Sequence, residues 1–327
     1  MNTLYLPLRL KRLRKTKVIR SMLQETRLSL NEFILPLFIH ETLSEKRAIK
    51  TMPGHYQLPL KALAHEIEEI SQLGITGIIL FGIPDHKDHS GSASLHDDGV
   101  IQQAIKIIKK TNPNLLIITD VCFCEYTDHG HCGVLTHHNT IDNDKTLLLI
   151  AQQALSHAKA GADWVAPSGM TDGMVCAIRT TLDEAGYHDT AILSYAVKYS
   201  SCLYGPFSEA AEGAPLFGDR KAYQMNPANA NESFRETMLD LAEGADLLMV
   251  KPAMLYLDII YRIKQRHPEV PLCAYQVSGE YAMLKHAAKQ HLMDETAAMI
   301  ESLLCIKRAG ADLIISYFAK DIARFLT

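Results

Sequence analysis

Three cysteines lie within one short segment of the sequence, DVCFCEYTDHGHCG, which covers residues 120–133. Cys122, Cys124 and Cys132 are too closely spaced for three independent structural roles, so we consider a disulfide, a redox switch or a soft-metal site. The chain has seven cysteines, an odd number, and we expect it to reside in a reducing compartment. Stable disulfides are disfavoured there, so the pattern favours a metal site.

A zinc ion held by three thiolates could be structural or catalytic. In a closed structural site, a nearby histidine such as His129 or His131 would be the fourth ligand, whereas catalytic zinc keeps one position open for water or substrate. The cluster directly follows an apolar run that ends in Asp120 and Val121, which favours the open site. A redox switch built from cysteines alone would leave Asp120 and the lysines described next unexplained.

Two lysines stand where apolar runs end, Lys198 after AILSYAV and Lys251 at the end of LLMVK. A single lysine in such a position is often a solvated residue at the end of a strand. Two lysines side by side in a partly desolvated pocket disfavour each other's protonation, and burial acts in the same direction. The resulting neutral amine is the nucleophile that forms a Schiff base with a carbonyl substrate.

The elements that position these residues repeat one local pattern. In AKAGADWVAPSG, LAEGADLLMVKP and KRAGADLIISYFA, a helix-like segment ends at a glycine and a short apolar run follows; ISQLGITGIILFGI is a looser copy. Four more apolar runs cover residues 34–39, 115–121, 191–197 and 271–277. Eight such runs alternating with helical segments predict an α/β fold, a (β/α)8 TIM barrel. The first runs are followed by no glycine-rich phosphate motif, which argues against a dinucleotide-binding fold.

Active sites of such barrels lie at the carboxyl ends of the strands, so the residues at the ends of the runs are expected on one rim. These residues are Asp120, Ser168, Lys198, Lys251, Gln276, Ser278, Ser316 and Tyr317. Residues 199–225 follow the fifth run and are rich in Gly, Pro and Ser. Long loops of this kind are usually functional or disordered, and this one is predicted at the catalytic face.

Composition limits the classes of function. A chain of 327 residues, 47% of them hydrophobic, can bury a large core, and its net charge of −4 argues against nucleic acid as the main partner. The basic run from Arg9 to Arg20 contains interleaved apolar residues, so we interpret it as a solvated arm or an oligomer contact. We find neither a signal peptide nor a membrane span in the pattern, so we expect a soluble, cytoplasmic protein.

The sequence resembles the zinc-dependent type of 5-aminolevulinate dehydratase, also called porphobilinogen synthase. The motifs that carry the resemblance extend from about residue 9 to the end. They are TDVCFCEYTDHGHCGVL, YGPF, GDRKAYQMNPAN, EGADLLMVKPAMLYLDI, AYQVSGEYAM and ISYFA. The resemblance implies an N-terminal arm over residues 1–30, a catalytic barrel over 31–327 with a lid at about 199–225, and assembly as a homo-octamer. It also implies a hydro-lyase of haem biosynthesis that condenses two molecules of 5-aminolevulinate into porphobilinogen with loss of two waters.

The same resemblance assigns roles to individual residues. Lys251 would form the Schiff base with the propionate-side substrate, and Lys198 would form or assist a second one. Cys122, Cys124 and Cys132 would hold a catalytic zinc, with Asp120 and Ser168 lining the pocket of the acetyl-side substrate. Ser278 and Tyr317 would receive one carboxylate, and Arg220 and Gln224, on the lid, the other. The remaining implied substrate contacts are Tyr195, Tyr204, Phe207, Ser208 and Tyr275.

One position departs from the family pattern, and one assignment is allosteric. Ser208, in GPFSEA, stands where family members commonly have an arginine, so one cationic carboxylate contact is lost and Arg220 or Lys221 is expected to compensate. Glu236 matches the position of an allosteric magnesium site, although a glutamate on a helix surface explains it equally well.

Two other interpretations remain open at this point. A class I aldolase would need Lys251 but no zinc, and a non-catalytic zinc-braced scaffold would need the cysteines but no carbonyl chemistry.

Overall fold

The computed structural model describes residues 7–326, and within them eight parallel strands surrounded by helices close into a barrel, which confirms the predicted fold class. The strands are β1 Phe33–His40, β2 Arg47–Ala48, β3 Tyr56–Pro59, β4 Gly77–Ile83, β5 Leu116–Val121, β6 Trp164–Pro167, β7 Ala191–Lys198, β8 Leu247–Lys251, β9 Leu272–Gln276 and β10 Leu313–Ser316. The helices are α1 Lys17–Met22, α2 Leu63–Gln72, α3 Val100–Thr111, α4 Asn143–Ala160, α5 Met174–Glu184, α6 Gly205–Ala210, α7 Glu232–Glu243, α8 Leu257–Arg266, α9 Ser278–Lys289, α10 Glu295–Ala309 and α11 Ala319–Leu326.

The barrel closes between its first and last strands. The start of β1 pairs in parallel with β10, where Phe33 lies opposite Ile314, and β1 also pairs with β4 along most of its length. On the edge of β1 that first pairs with β10, the last residues of the strand, from Phe38 to His40, pair with β3. This short strand has β2 as an antiparallel partner. This small hairpin has no apolar run of its own, so the sequence pattern did not predict it.

The repeated glycine and aspartate of the GAD stretches have separate structural roles. Gly161, Gly244 and Gly310 follow the ends of α4, α7 and α10 with φ between 104° and 122°, as the expected helix ends require. The aspartates that come two residues later accept backbone N–H groups of the preceding barrel strands. Asp163 accepts from Ile117 at 2.7 Å, Asp246 from Ile192 at 2.8 Å and Asp312 from Leu272 at 2.8 Å. Each copy therefore ends a helix and anchors the amino end of a neighbouring strand.

The eight barrel strands are largely buried on both faces, and the long helices outside them bury one face against the barrel. In α3, for example, the buried residues Ile101, Ala104, Ile105 and Ile108 follow helical spacing and face the barrel. Burying apolar surface of this kind is the main stabilising contribution to the fold. Over residues 7–326, none of the helices combines the length and the apolar character needed to cross a membrane.

The predicted arm and lid contain short helices. A 3-10 helix, Leu10–Arg14, and α1 lie in the predicted arm, whose first six residues are outside the described part of the chain, as is Thr327 at the end of the predicted barrel range. Residues 199–225 contain the 3-10 helix Cys202–Tyr204 and α6, so part of this loop is regular structure.

Candidate active site

The candidate site lies at the carboxyl ends of four neighbouring strands, β5 to β8. Asp120 lies within β5, Ser168 directly follows β6, and Lys198 and Lys251 are the last residues of β7 and β8. The parallel register of β7 and β8 sets Lys198 opposite Lys251. The strand ends therefore bring together the acid and the two lysines that the sequence indicated.

Lys251 is buried in a pocket of aromatic rings. Its Nζ lies 4.4 Å from the ring centre of Tyr275, 5.1 Å from Tyr195, 5.2 Å from Phe207 and 5.3 Å from Tyr204. Burial, followed by the charge of Lys198, lowers the pKa of Lys251 to about 7. A substantial fraction of this amine is therefore neutral, and hence nucleophilic, near neutral pH.

A chain of hydrogen bonds connects Lys198 to the acid on β5. Lys198 Nζ donates to the backbone oxygen of Ser168 at 2.6 Å, and Ser168 Oγ donates to Asp120 Oδ2 at 3.0 Å. Burial raises the pKa of Asp120, while the charges of Lys198 and Lys251 oppose that shift. A carboxyl group in this setting can exchange a proton with a bound substrate.

The three cysteines form one buried cluster beside this chain. Their sulfur atoms lie within 4.8 Å of one another, and Cys122 Sγ is 3.4 Å from Cys124 Sγ. Hydrogen bonds from the Cys122 and Cys124 thiols lower the pKa of Cys132. Three converging sulfur donors are a ligand set for zinc or another soft metal.

The two histidines of the motif use their ring nitrogens elsewhere. His131 Nδ1 lies 3.1 Å from the Tyr223 hydroxyl and its Nε2 lies 3.1 Å from the backbone oxygen of Phe217. His129 Nδ1 accepts the His131 N–H at 3.1 Å, and its Nε2 lies 3.3 Å from the His89 backbone oxygen. The ring nitrogens of both histidines therefore hold loops together. Because they are engaged in these contacts, the arrangement favours a metal site with three cysteine ligands and an open fourth coordination position.

Glu125 is a candidate site residue that the sequence reasoning missed. Its Oε2 accepts the Cys124 thiol at 3.2 Å, and a ligand atom of Glu125 lies within 4.8 Å of those of Asp120 and Cys122. Burial and then the charge of Asp120 raise the pKa of Glu125 to about 7. Its position directly after Cys124 in the motif was the signal that could have indicated it.

Arg220 and Gln224 both lie in the predicted lid, and the Arg220 side chain reaches the cysteine motif. Arg220 is largely buried and donates to the backbone oxygens of Gly130 at 2.9 Å and Gly213 at 2.5 Å. Burial opposes its charge, but the neighbouring Cys132 and Cys124 sulfurs raise the pKa of Arg220 overall. Gln224 is buried, and its Nε2 has no hydrogen-bond partner among residues 7–326. The Arg220 side chain can therefore present donors to an anionic group near the cysteines.

A second group of polar side chains lies near the carboxyl ends of β9 and β10. Ser278 is the first residue of α9, and its Oγ accepts the Phe207 N–H at 2.9 Å. The hydroxyls of Tyr275 and Tyr317 lie 3.1 Å apart. Ser208, on α6, is half-buried and donates to the Tyr204 backbone oxygen at 3.2 Å. Phe207 and Tyr275, whose rings lie against Lys251, connect these groups to the Lys251 pocket.

Two residues named from the sequence lie outside this constellation. Lys221 is exposed and pairs with Asp219 at 3.4 Å, which leaves Arg220 as the better placed of the two lid cations. Glu236 lies on the outer helix α7 and lines a cavity that Asp172 and Gln224 also border. Burial raises the pKa of Glu236.

Comparisons with known proteins agree on one family. The family model described as delta-aminolevulinic acid dehydratase matches residues 7–325. A delta-aminolevulinic acid dehydratase of Escherichia coli is 53% identical over 313 residues, which cover 96% of each chain. One of Halalkalibacterium halodurans is 52% identical over 316 residues, covering 97% of this chain and 96% of the relative.

A solved structure extends this similarity to the fold. It is the crystal structure of delta-aminolevulinic acid dehydratase (porphobilinogen synthase) from Toxoplasma gondii in complex with the reaction product porphobilinogen. The two chains superpose with a TM-score of 0.95 at 40% identity, covering 98% of this chain and 92% of the other.

Proposed function

The chain belongs to the delta-aminolevulinic acid dehydratase family, and from this premise we propose how its buried lysines, acid and cysteines carry out the reaction. The enzyme condenses two molecules of 5-aminolevulinate into porphobilinogen with loss of two waters, a step of tetrapyrrole synthesis. The observation that carries the proposed mechanism is the buried Lys251, whose pKa is lowered to about 7 beside Lys198.

Lys251 is the imine-forming residue in this proposal. Its neutral Nζ attacks the ketone carbon of one substrate, a C–N bond forms, and the ketone oxygen leaves as water after taking up two protons. The product is a protonated imine, which withdraws electrons and acidifies the neighbouring C–H. The faces of Tyr275 and Tyr195 stabilise this cation at short range, whereas Lys198 disfavours a second positive charge before the amine reacts.

Lys198, Asp120 and Ser168 handle the second substrate and its protons. Lys198, whose Nζ donates to the Ser168 backbone oxygen, forms or assists a second imine. Asp120 is a base whose carboxyl group takes up and returns protons, and the Ser168 hydroxyl holds one of its oxygens in place. Orienting both substrates in one pocket converts their encounter into an effectively intramolecular reaction.

The cysteine cluster fits a resident zinc ion by its chemistry. Three buried sulfurs within 4.8 Å supply three protein ligands, and the histidines are engaged elsewhere, which leaves a position for substrate. Cys122, Cys124 and Cys132 would hold the zinc, which would supply Lewis acidity toward the acetyl-side substrate. Glu125 would orient one of these ligands, because its carboxyl group, whose pKa is raised to about 7, can donate a hydrogen bond to the Cys124 thiolate once zinc has displaced the thiol proton.

The lid is proposed to bind the acetyl-side carboxylate and to exclude water. The charge of Arg220 interacts with the Cys132 and Cys124 sulfurs, Gln224 follows in the same segment, and the Leu216 N–H donates to the His129 backbone oxygen at 3.1 Å. Ser278 and Tyr317 are proposed to bind the propionate-side carboxylate. Excluding water matters because hydrolysis reverses imine formation.

Assembly and location extend the same proposal. The described arm exposes Leu10, Leu13, Val18 and Met22 among basic residues, which supports packing of the arm on another copy in a homo-octamer. A cytoplasmic location remains a prediction. Binding of an allosteric magnesium ion at Glu236 is also still a prediction. Within residues 7–326, Glu236 is not part of a group of three converging metal-ligating side chains.

Trapping of the imine at Lys251 tests the mechanism, and its pH dependence is predicted from the lowered pKa. With 5-aminolevulinate and cyanoborohydride, the rate of adduct formation at Lys251 should rise roughly tenfold per pH unit up to about 7 and then level off. Protonation removes the nucleophile below that pH, whereas an ordinary lysine would level off only near its usual pKa of about 10.4. Peptide mass mapping at each pH measures the adduct.

Two comparisons sharpen this test. Lys198→Met should move the midpoint of the Lys251 profile upward, because it removes a neighbouring positive charge. A chelator should abolish porphobilinogen formation but leave the Lys251 adduct. Chelator-resistant turnover would show that the reaction does not need the metal, and zinc-replete, folded protein without an adduct would show that Lys251 is not the imine-forming residue.

Ser208→Arg is expected to strengthen binding at the second substrate site. The arginine would add a charge-assisted contact to a carboxylate, worth about 1.5 to 3 kcal/mol, so the KM should fall by roughly tenfold or more. Ser208→Gln is the matched control, because it adds length without charge. Steady-state rates over a range of 5-aminolevulinate concentrations measure the effect, and an unchanged substrate dependence in Ser208→Arg would show that Arg220 already supplies the full contact.

A further inference from the structure

Glu280 is a fully buried carboxylate that the proposed mechanism does not use. It is the third residue of α9, the helix that starts immediately after β9 and the linking residue Val277. In this position a glutamate can reach back to the N–H groups at the start of its own helix. Its carboxylate also extends beyond that helix, to the segment that follows Lys251.

The carboxylate of Glu280 joins two strand ends. Oε1 accepts the Met254 N–H at 2.6 Å, while Oε2 accepts the Val277 N–H at 2.8 Å and the Ala253 N–H at 3.5 Å. Ala253 and Met254 start the short 3-10 helix after β8, where backbone N–H groups have no partner within the helix. One side chain therefore ties the segment after β8 to the start of α9.

The two joined segments carry different parts of the proposed site. Lys251 precedes Ala253 by two residues, and Ser278 directly follows Val277. On its other side, the start of α9 packs closely on the lid. A Cβ on Gly279 would lie only 2.4 Å from the backbone oxygen of Leu203, so the helix cannot move further in that direction. Glu280 provides the opposing attachment, toward Lys251.

We propose that Glu280 is a positioning residue that sets the spacing between the imine-forming amine of Lys251 and the carboxylate-binding hydroxyl of Ser278. This inference rests on the proposed roles of those two residues. A keto acid of the right length can reach both groups at once only if their spacing is held. Glu280 thereby makes the Lys251 pocket selective for keto acids over neutral ketones of equal length.

The charge and length of the Glu280 side chain both serve this role. A carboxylate can accept all three N–H groups, whereas the amide of a glutamine has one acceptor oxygen and would direct its own N–H₂ toward a backbone donor. Glu280→Gln therefore breaks at least one of the two attachments while keeping the volume of the side chain. A misplacement of about 1 Å between reacting groups can reduce a rate by roughly 100-fold.

The test compares two carbonyl probes. Levulinate carries a carboxylate, and 2-pentanone has the same chain length without one. Each is trapped on Lys251 with cyanoborohydride and measured by peptide mass mapping. Wild-type protein should trap levulinate much faster than 2-pentanone. In Glu280→Gln, the levulinate rate should fall by roughly 100-fold and the 2-pentanone rate should change little, so the preference is lost.

Glu66→Gln is the matched control. Glu66, on α2, is also a buried glutamate, but it pairs with the side chains of Lys46 and Lys320 and should leave the preference intact. If Glu280→Gln does not reach the wild-type unfolding temperature, Glu280→Asp provides the second variant, because it keeps the charge and shortens the reach.

The outcomes separate this inference from the mechanism on which it rests. A preference for levulinate that survives in folded Glu280→Gln or Glu280→Asp would overturn the role of Glu280 alone. Absence of any Lys251 adduct in wild-type protein would overturn the imine mechanism and the inference together. Equal loss of both probe rates would indicate a general structural role and would also contradict the proposed selectivity.

Discussion

Lys251→Met is expected to lower kcat by on the order of 10⁵-fold without unfolding the protein, because it removes the atom proposed to form a covalent bond with the propionate-side substrate. The methionine should fit the aromatic pocket. Burial already disfavours the lysine's charge, so its replacement should leave the free energy of unfolding unchanged or slightly raised. The measurements are the steady-state rate of porphobilinogen formation, the cyanoborohydride adduct and the thermal unfolding midpoint.

The control for this variant is Lys110→Met, which removes an exposed lysine on α3, away from the strand ends. It should leave the rate and the adduct unchanged. Zinc content should be the same in wild type and in both variants, because the lysines are not proposed to hold the metal. A Lys251→Met protein that retains more than about a hundredth of the wild-type rate would contradict the assignment of Lys251 as the essential nucleophile.

Cys132→Ser is expected to abolish stoichiometric zinc binding and, with it, turnover. Loss of an outer-shell partner typically costs a metal site 10–100-fold in affinity, so loss of one of three direct ligands should weaken zinc binding by more than about 100-fold. The site also loses the sulfur whose charge contributes most to raising the pKa of Arg220. Bound zinc per chain, measured after dialysis, and the rate of porphobilinogen formation report the two effects.

The adduct at Lys251 distinguishes a catalytic metal from a structural one. In Cys132→Ser, levulinate should still be trapped at Lys251, because that amine owes its reactivity to burial and to Lys198. Cys176→Ser is the matched control, since Cys176 is exposed on α5 and should leave zinc content and rate unchanged. Unfolding of Cys132→Ser, together with loss of the adduct, would favour a structural role for the metal instead.

Together, the two variants divide the site into separable halves. Lys251 and its aromatic rings occupy one side of the barrel mouth, and the cysteines and Arg220 occupy the other, with Asp120 and Lys198 between them. An enzyme that joins two identical substrates must treat them differently, because one becomes the electrophile and the other the nucleophile. Two unlike pockets, one at the end of β8 and one after β5, provide that difference.

The sequence by itself was sufficient for the barrel and for its most reactive residues. Eight apolar runs and the repeated GAD stretches predicted the strands because local hydrophobic pattern and helix-ending glycines depend on neighbouring residues only. Lys198, Lys251 and the three cysteines could be identified because parallel strands place their carboxyl ends on one rim, so position along the chain also gives position in space.

Tertiary structure alone decided how those residues are surrounded. The rings around Lys251 come from β7, β9 and the lid, and the carboxylate of Glu280 meets backbone groups 26 and 27 residues away. The ring nitrogens of His129 and His131, expected as possible metal ligands, are directed to loops instead. Such contacts depend on how distant segments pack, and burial, which shifts the pKa values of Lys251, Asp120 and Glu125, exists only once the barrel has closed.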